Sequence, residues 1–225
     1  MFDKSSHFHQ KPVTLTFSSQ VSDLIVTNPT NTRTEHRLNC PEQGWIDLVP
    51  FGPISPDGLV IACPPKGDVV MRILGFSEAY DHALEAKICD NPVIKIRVSS
   101  PAGFALLKLI SWSDRKGDKR KSDARDFLYV CVNYQKIPEV HGAVFDNEKM
   151  MTEHGWDLER GSSQMLGQDA REIVLLASHA YLGGFFGDSI KGRSLRDFIR
   201  ESCDHVEQYE EHEAKVRAFI NGYLP

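Results

Sequence analysis

The stretch Leu106-Leu-Lys-Leu-Ile-Ser-Trp-Ser-Asp-Arg115, which follows Pro101, decides the expected fold of this chain. At 3.6 residues per turn its apolar side chains surround the helix axis, whereas Lys108, Ser111 and Arg115 fall on one narrow basic stripe at i, i+3 and i+7. Pro101 suits a first helical turn, with Ser99 or Ser100 as the cap. The sequence therefore predicts a buried helix from Pro101 to about Arg115.

The basic stripe needs a partner, because burying an ammonium or guanidinium group alone is costly. It should face a cleft, an anionic ligand or a set of carboxylates. In a second interpretation, Lys108 and Arg115 extend to water from the two ends of a core helix.

A charged segment follows, Lys116-Gly-Asp-Lys-Arg-Lys-Ser-Asp-Ala-Arg-Asp126. We expect Ser122 to cap a second helix, with Asp123 and Asp126 on one face at i, i+3. Its basic residues form either a solvated turn or a local site for phosphate groups; they are Lys116, Lys119, Arg120 and Lys121.

The segment Trp45-Ile-Asp-Leu-Val-Pro-Phe-Gly52 places one carboxylate, Asp47, within an apolar strand pattern. A buried acid is expensive unless it meets a cation or hydrogen-bond donors. Asp47 is therefore a candidate ligand for a cation, or else an aspartate at a strand end that bonds to a turn.

The composition is that of an ordinary globular protein. The 225 residues carry a net charge of -5 and 41% hydrophobic residues, so nucleic acid would need a local basic patch. The five cysteines have no metal-ligand spacing, and residues 1–10 lack a signal-peptide pattern. No apolar run is long enough to span a membrane. We therefore expect a cytoplasmic protein without a membrane partner.

Short apolar runs precede position 100 and helical patterns follow it. Strands are predicted at 13–17, 45–49, 59–63, 69–74 and 93–98, with one helix at 77–86. Helices are predicted at 101–115, 122–135, 148–154, 163–180, 195–203 and 206–223. This order predicts an α+β fold, with a mixed sheet in residues 1–100 and a helical region, 101–225, packed on it.

Several motifs in this order resemble bacterial predicted nucleotidyltransferases related to the AbiEii-type toxins, in the polymerase-β-like superfamily. The motifs are His36-Arg-Leu38, Ile46-Asp-Leu-Val-Pro-Phe-Gly52, Gly75-Phe-Ser-Glu-Ala79, Leu106 to Arg115, Ser122 to Phe127 and Met165-Leu-Gly-Gln-Asp169. The resemblance covers residues 36 to 169. It implies a nucleotidyltransferase-like mixed sheet with flanking helices, and a toxin–antitoxin context.

The resemblance also implies a reaction and a site. Such enzymes transfer a nucleotidyl group from a nucleoside triphosphate to RNA, a protein or a small molecule, with Mg²⁺ held by three carboxylates. Asp47 corresponds to one metal-binding, catalytic carboxylate. The implied nucleotide-binding residues are Lys108, Ser111, Arg115, Lys121, Asp123 and Asp126.

The sequence departs from the family pattern before Asp47. The expected Gly-Ser pair and Asp-x-Asp motif are absent, since the only upstream aspartates are Asp3 and Asp23. One carboxylate cannot organise two Mg²⁺ ions. Either the reading frame is truncated relative to an active enzyme, or the protein is a degenerate relative that serves as a binding or regulatory module. In both cases we expect little or no transfer.

Three remaining features have simpler interpretations. The histidines lack metal-ligand spacing and suit surface or capping positions. Tyr181-Leu-Gly-Gly-Phe-Phe-Gly187 does not follow a strand, which argues against a phosphate loop. The last helix, 206–223, is amphipathic and suits packing on the core, with a homodimer contact as a second use.

Overall fold

The computed structural model describes residues 37–40, 44–52, 59–62, 70–186 and 193–224. It divides the chain into two compact units, residues 1–73 and 74–225. The division precedes position 100, where the sequence pattern changes. Helices and antiparallel strands together make the protein α+β, as predicted. The predicted strand at 13–17 lies outside the described residues.

In the first unit, the described strands form two antiparallel pairs. Strand β1 (Arg37–Cys40) pairs with β2 (Gly44–Asp47), and β3 (Val60–Ala62) pairs with β4 (Val70–Arg72). The strands predicted at 59–63 and 69–74 are confirmed in their central parts, and the strand predicted at 45–49 is confirmed in its first three residues. Strand β1 was not predicted. The mixed sheet expected here is not seen among the described strands, which form only two-stranded antiparallel sheets. Short connections favour antiparallel neighbours, whereas parallel pairs need a long crossover.

The second unit begins with α1 (Phe76–Asp81), β5 (Leu84–Asp90) and β6 (Val93–Val98). Strand β6 has its predicted bounds, but the predicted helix at 77–86 is wrong beyond Asp81. Its last residues belong to β5, where Glu85 lies opposite Arg97 and pairs with Lys95 at 2.7 Å. The alternation of apolar and charged residues from Leu84 to Lys87 has the period of a strand, which the helical interpretation overlooked.

Eight helices complete the described part of the second unit, none of them long and apolar enough to cross a membrane. They are α2 (Pro101–Asp114), α3 (Asp118–Asn133), α4 (Pro138–Phe145), α5 (Glu148–Glu153), α6 (Leu158–Ile173), α7 (Leu176–Phe186), α8 (Leu195–Ser202) and α9 (Tyr209–Tyr223). Short 3₁₀ turns at Tyr134–Lys136 and Val206–Gln208 lead into α4 and α9.

Helix α2 is the buried helix that the sequence predicts. The Ser100 hydroxyl accepts a hydrogen bond from the Gly103 N–H at 3.3 Å, which caps the first turn. Trp112 is fully buried and contacts two rings, Phe185 of α7 and Phe198 of α8, with centroids 5.3 and 5.1 Å away. Phe127 of α3 joins Phe198 to Phe219 of α9 at 5.3 and 4.9 Å. This aromatic core connects five helices.

Other helix predictions need correction. Ser122 does not cap α3, which begins at Asp118 after Gly117, a glycine with φ +62° that turns the chain. The helix predicted at 163–180 is two helices, because the chain is extended at Val174. Helix α4 was not predicted, and residues 181–186 of the glycine-rich segment are helical.

Helices α6 and α9 approach each other closely at two glycines. A Cβ atom added at Gly167 would overlap the Phe219 carbonyl, and one added at Gly222 would overlap the Gln164 carbonyl. The obstacle is backbone in both cases, so a side chain there could not be accommodated by a rotamer change. The predicted packing of the last helix on the core is confirmed, with Phe219 and Tyr223 fully buried.

Candidate functional site

The basic stripe of α2 meets carboxylates on α3, the helix that follows it. Lys108 Nζ lies 3.0 Å from Asp123 Oδ1 and 2.9 Å from Asp126 Oδ2. Arg115 Nη1 donates to both oxygens of Asp123, at 2.9 and 3.0 Å. The two cations and two carboxylates therefore form one network, which we call the α2–α3 cluster. Of the partners open to the stripe, the structure provides the set of carboxylates.

Burial differs sharply across the cluster. The Asp123 side chain is fully buried, Lys108 and Asp126 are 19% and 12% exposed, and Arg115 is 48% exposed. The Phe104 ring centroid lies 5.2 Å from Lys108 Nζ, which adds a cation–π contact. Lys108 is thus enclosed by protein, whereas Arg115 presents half of its side chain to water.

Asp123 is the electrostatic centre of the cluster. Burial raises the pKa of its carboxyl group above the ordinary value, and Lys108 and Arg115 oppose that shift. Removing a carboxylate from water disfavours its charged form, whereas the two cations favour that form. Without them the carboxyl group would retain its proton to higher pH.

The other predicted site residues have different contacts. The Ser111 carbonyl accepts the Arg115 N–H at 2.9 Å within α2. Lys121 is exposed, and its Nζ lies 3.9 Å from Asp118 Oδ1. Asp47 ends β2 in the first unit, in register opposite Arg37.

A second buried network was missed at the sequence level. The Glu201 carboxylate accepts from Trp112 Nε1 at 2.8 Å and from Arg120 Nε at 2.7 Å. Arg120 is therefore not one of the solvated residues of the turn, because Glu201 holds its guanidinium group. Its partner is 81 residues away, so local spacing gave no signal. One signal was available, because Glu201 falls on the apolar face of α8 beside Phe198.

Cys203 and His212 are in contact, although their spacing in the sequence matches no metal-ligand pattern. Cys203 Sγ lies 3.3 Å from His212 Nδ1, and Ser202 Oγ lies 3.1 Å from the same atom. Burial raises the pKa of the Cys203 thiol, so it does not favour the thiolate that nucleophilic catalysis needs. We interpret the contact as structural packing between α8 and α9.

His212 makes stability depend on pH. Burial lowers its pKa below the ordinary 6.5, with Lys215 adding to the shift and Glu211 and Asp204 opposing it. The unfolded chain then binds a proton more readily, so stability is full above about pH 6.5 and falls as the pH drops toward the folded-state value. Thermal unfolding at about pH 7.5 and about pH 5.5 should show a smaller decrease for His212→Gln than for the unmodified chain.

The exposed His82 offers the matched control for this comparison. His82→Gln should retain the full decrease in melting temperature. Equal decreases for His212→Gln and the unmodified chain would contradict the assignment.

The Mg²⁺ that the resemblance implies would need several oxygen ligands directed at one position among the described residues. Among them, no three His, Cys, Asp or Glu side chains are placed to hold a metal ion. Asp123 and Asp126 direct oxygens at Lys108, and Asp123 also at Arg115, rather than at a shared open position. This donor set does not fit Mg²⁺.

The chain matches no family model, no curated protein and no solved structure.

Proposed function

We propose that this protein is a nucleotidyltransferase-related binding or regulatory module, which binds a nucleoside triphosphate without transferring its nucleotidyl group. The observation that carries the proposal is the half-exposed Arg115 guanidinium, fixed by two hydrogen bonds to buried Asp123. A fixed guanidinium can contact phosphate oxygens with little further loss of side-chain entropy.

The surroundings of Arg115 add positive charge. Lys116, Lys119 and Lys121 are exposed in the adjacent turn and start of α3, against one nearby exposed acid, Asp118. Such a local excess attracts phosphate groups despite the acidic net charge of the whole chain. It supports the phosphate-site interpretation of this segment, with Arg120 removed from the set because it binds Glu201.

The absence of transfer is supported by the carboxylates. Asp47 is the single acid matching the family's three metal ligands, and Asp123 and Asp126 are already paired with Lys108. Transfer of this kind needs several carboxylates directed at the metal ions. The nucleotidyltransferase-like fold and the toxin–antitoxin context belong to the same proposal.

An assay for transfer tests the catalytic half of this proposal. We expect residues 1–225 to transfer no label from radiolabelled nucleoside triphosphates with Mg²⁺, to protein or RNA acceptors. Robust transfer that disappears in Asp47→Ala would contradict the proposal and assign the chain to the enzymes.

Titration with a fluorescent triphosphate analogue tests the binding half. Arg115→Gln should weaken binding about tenfold, which corresponds to the loss of one charge-assisted pair. Lys136→Gln, a change of an exposed cation remote from α3's first turn, should leave the affinity unchanged. Equal affinities for Arg115→Gln and the unmodified chain would instead assign a purely structural role to the α2–α3 cluster.

A further inference from the structure

Three aromatic rings lie in sequence on the surface of residues 138–156. His141 and Phe145, one turn apart on α4, stack with centroids 6.4 Å apart and planes at 13°. Trp156, which follows α5, meets Phe145 edge-on at 6.4 Å and 70°. Phe145 is 56% exposed and Trp156 is 57% exposed. We call these three side chains the aromatic row.

The backbone holds Trp156 in an unfavourable conformation. Its φ of +65° makes it the one non-glycine residue with positive φ in the described ranges. A bulky side chain rarely adopts this region, because its Cβ crowds the backbone. The Trp156 N–H donates to the Met151 carbonyl at 2.7 Å, and Met151 is buried, which fixes the turn.

Core packing does not explain this conformation, since more than half of the Trp156 side chain faces water. Backbone strain of this kind concentrates at functional positions. Large exposed aromatic side chains in contact with one another are also typical of the central contacts of protein interfaces. The turn after α5 leaves the indole ring facing outward.

The charge around the aromatic row identifies the kind of partner. Residues 138–156 carry four exposed carboxylates and one exposed ammonium group, that of Lys149. Lys149 Nζ lies 3.9 Å from Glu153 Oε1. These acids are Glu139, Asp146, Glu148 and Glu153. Such a surface repels the phosphates of nucleic acid and also the same surface of a second copy.

We propose that the aromatic row is a docking surface for a cationic segment of a partner protein. Arginine or lysine side chains of that segment stack on Trp156 and Phe145, whose ring faces attract cations. The surrounding carboxylates supply opposite charge, which favours arginine because its planar group both stacks and pairs with carboxylates. This surface uses other residues than the α2–α3 cluster, so it stands independently of triphosphate binding.

The test uses a fluorescein-labelled peptide of alternating arginine and alanine, titrated with the full chain and followed by anisotropy. Trp156→Asn should weaken its binding about tenfold, as expected for the loss of a cation–π contact at an interface. Asparagine tolerates positive φ better than tryptophan. An unchanged or higher melting temperature would thus show that the weaker binding reflects the lost ring.

Matched controls and contrary outcomes sharpen this test. Tyr129→Ala removes another exposed aromatic side chain, on α3, and should leave the affinity unchanged. The double variant Glu148→Gln, Glu153→Gln should bind more weakly and lose part of the salt dependence.

Equal binding of a glutamine–alanine peptide, or no effect of Trp156→Asn, would overturn the proposal. So would tighter binding of a uridine oligonucleotide through Trp156, which would indicate nucleic acid. Self-association that Trp156→Asn abolishes would indicate a second copy as the occupant and would also overturn it.

Discussion

Gly167→Ala should destabilise the helical unit by about 3 kcal/mol, toward the upper end of what overpacking usually costs. The added methyl group would meet the Phe219 carbonyl of α9, which cannot rotate away. Helices α6 and α9 would have to separate, and buried Phe219 and Tyr223 would lose part of their packing. Urea unfolding followed by circular dichroism should show a lower midpoint with a similar slope.

Gly222→Ala should behave alike, because its methyl group would meet the Gln164 carbonyl from the other side. Gly183 provides the control, since it is also helical but an added Cβ there meets nothing within 4 Å. Gly183→Ala should raise stability by up to about 1 kcal/mol, the difference in helix propensity. A similar gain at Gly167 would show that α6 and α9 are not in close contact.

Asp123→Ala should destabilise the protein by about 3 kcal/mol, near the low end for breaking a buried ion pair. Lys108 would remain enclosed with Asp126 as its remaining carboxylate partner in the cluster, whereas half-exposed Arg115 could turn to water. The loss therefore concerns mainly the buried ammonium group. Thermal and urea unfolding would both measure it.

The double variant Lys108→Met, Asp123→Leu distinguishes charge from packing. Replacing a buried pair by apolar residues of similar size is often neutral, so part of the lost stability should return, while Asp126, which is 12% exposed, loses Lys108 as a partner. Asp118→Asn removes the negative charge from the exposed 3.9 Å contact with Lys121 and should have no measurable effect on stability. If Asp123→Ala is as harmless as Asp118→Asn, the α2–α3 cluster contributes nothing to folding.

Sequence predicted best where a local signal was complete. Helix α2 ends within one residue of its predicted bounds, because a capping serine and Pro101 mark its start. The sequence also indicated that Lys108 and Arg115 need partners on a buried helix, and carboxylates are one of the predicted kinds. Which carboxylates these are could not be predicted, since the resemblance places Asp123 against a ligand and not against Lys108.

Prediction failed where tertiary contacts or a change of period decided the outcome. Leu84 to Ala86 could extend α1, but pairing with β6 makes them a strand. Ser122 has the chemistry of a cap, yet Gly117 starts the helix one turn earlier. The Arg120–Glu201 pair joins positions 81 residues apart, which no local pattern can reveal.

The aromatic core also sets the order in which this protein can be built. Rings contributed by α3 and α8 connect Trp112 to Phe219, and α9 follows every other described helix along the chain. Contacts between such distant positions form late, after a large loss of chain entropy. On the ribosome, the face of α3 that carries Phe127 therefore lacks its α9 partner until that helix emerges, and until then it is open to aggregation or to chaperones.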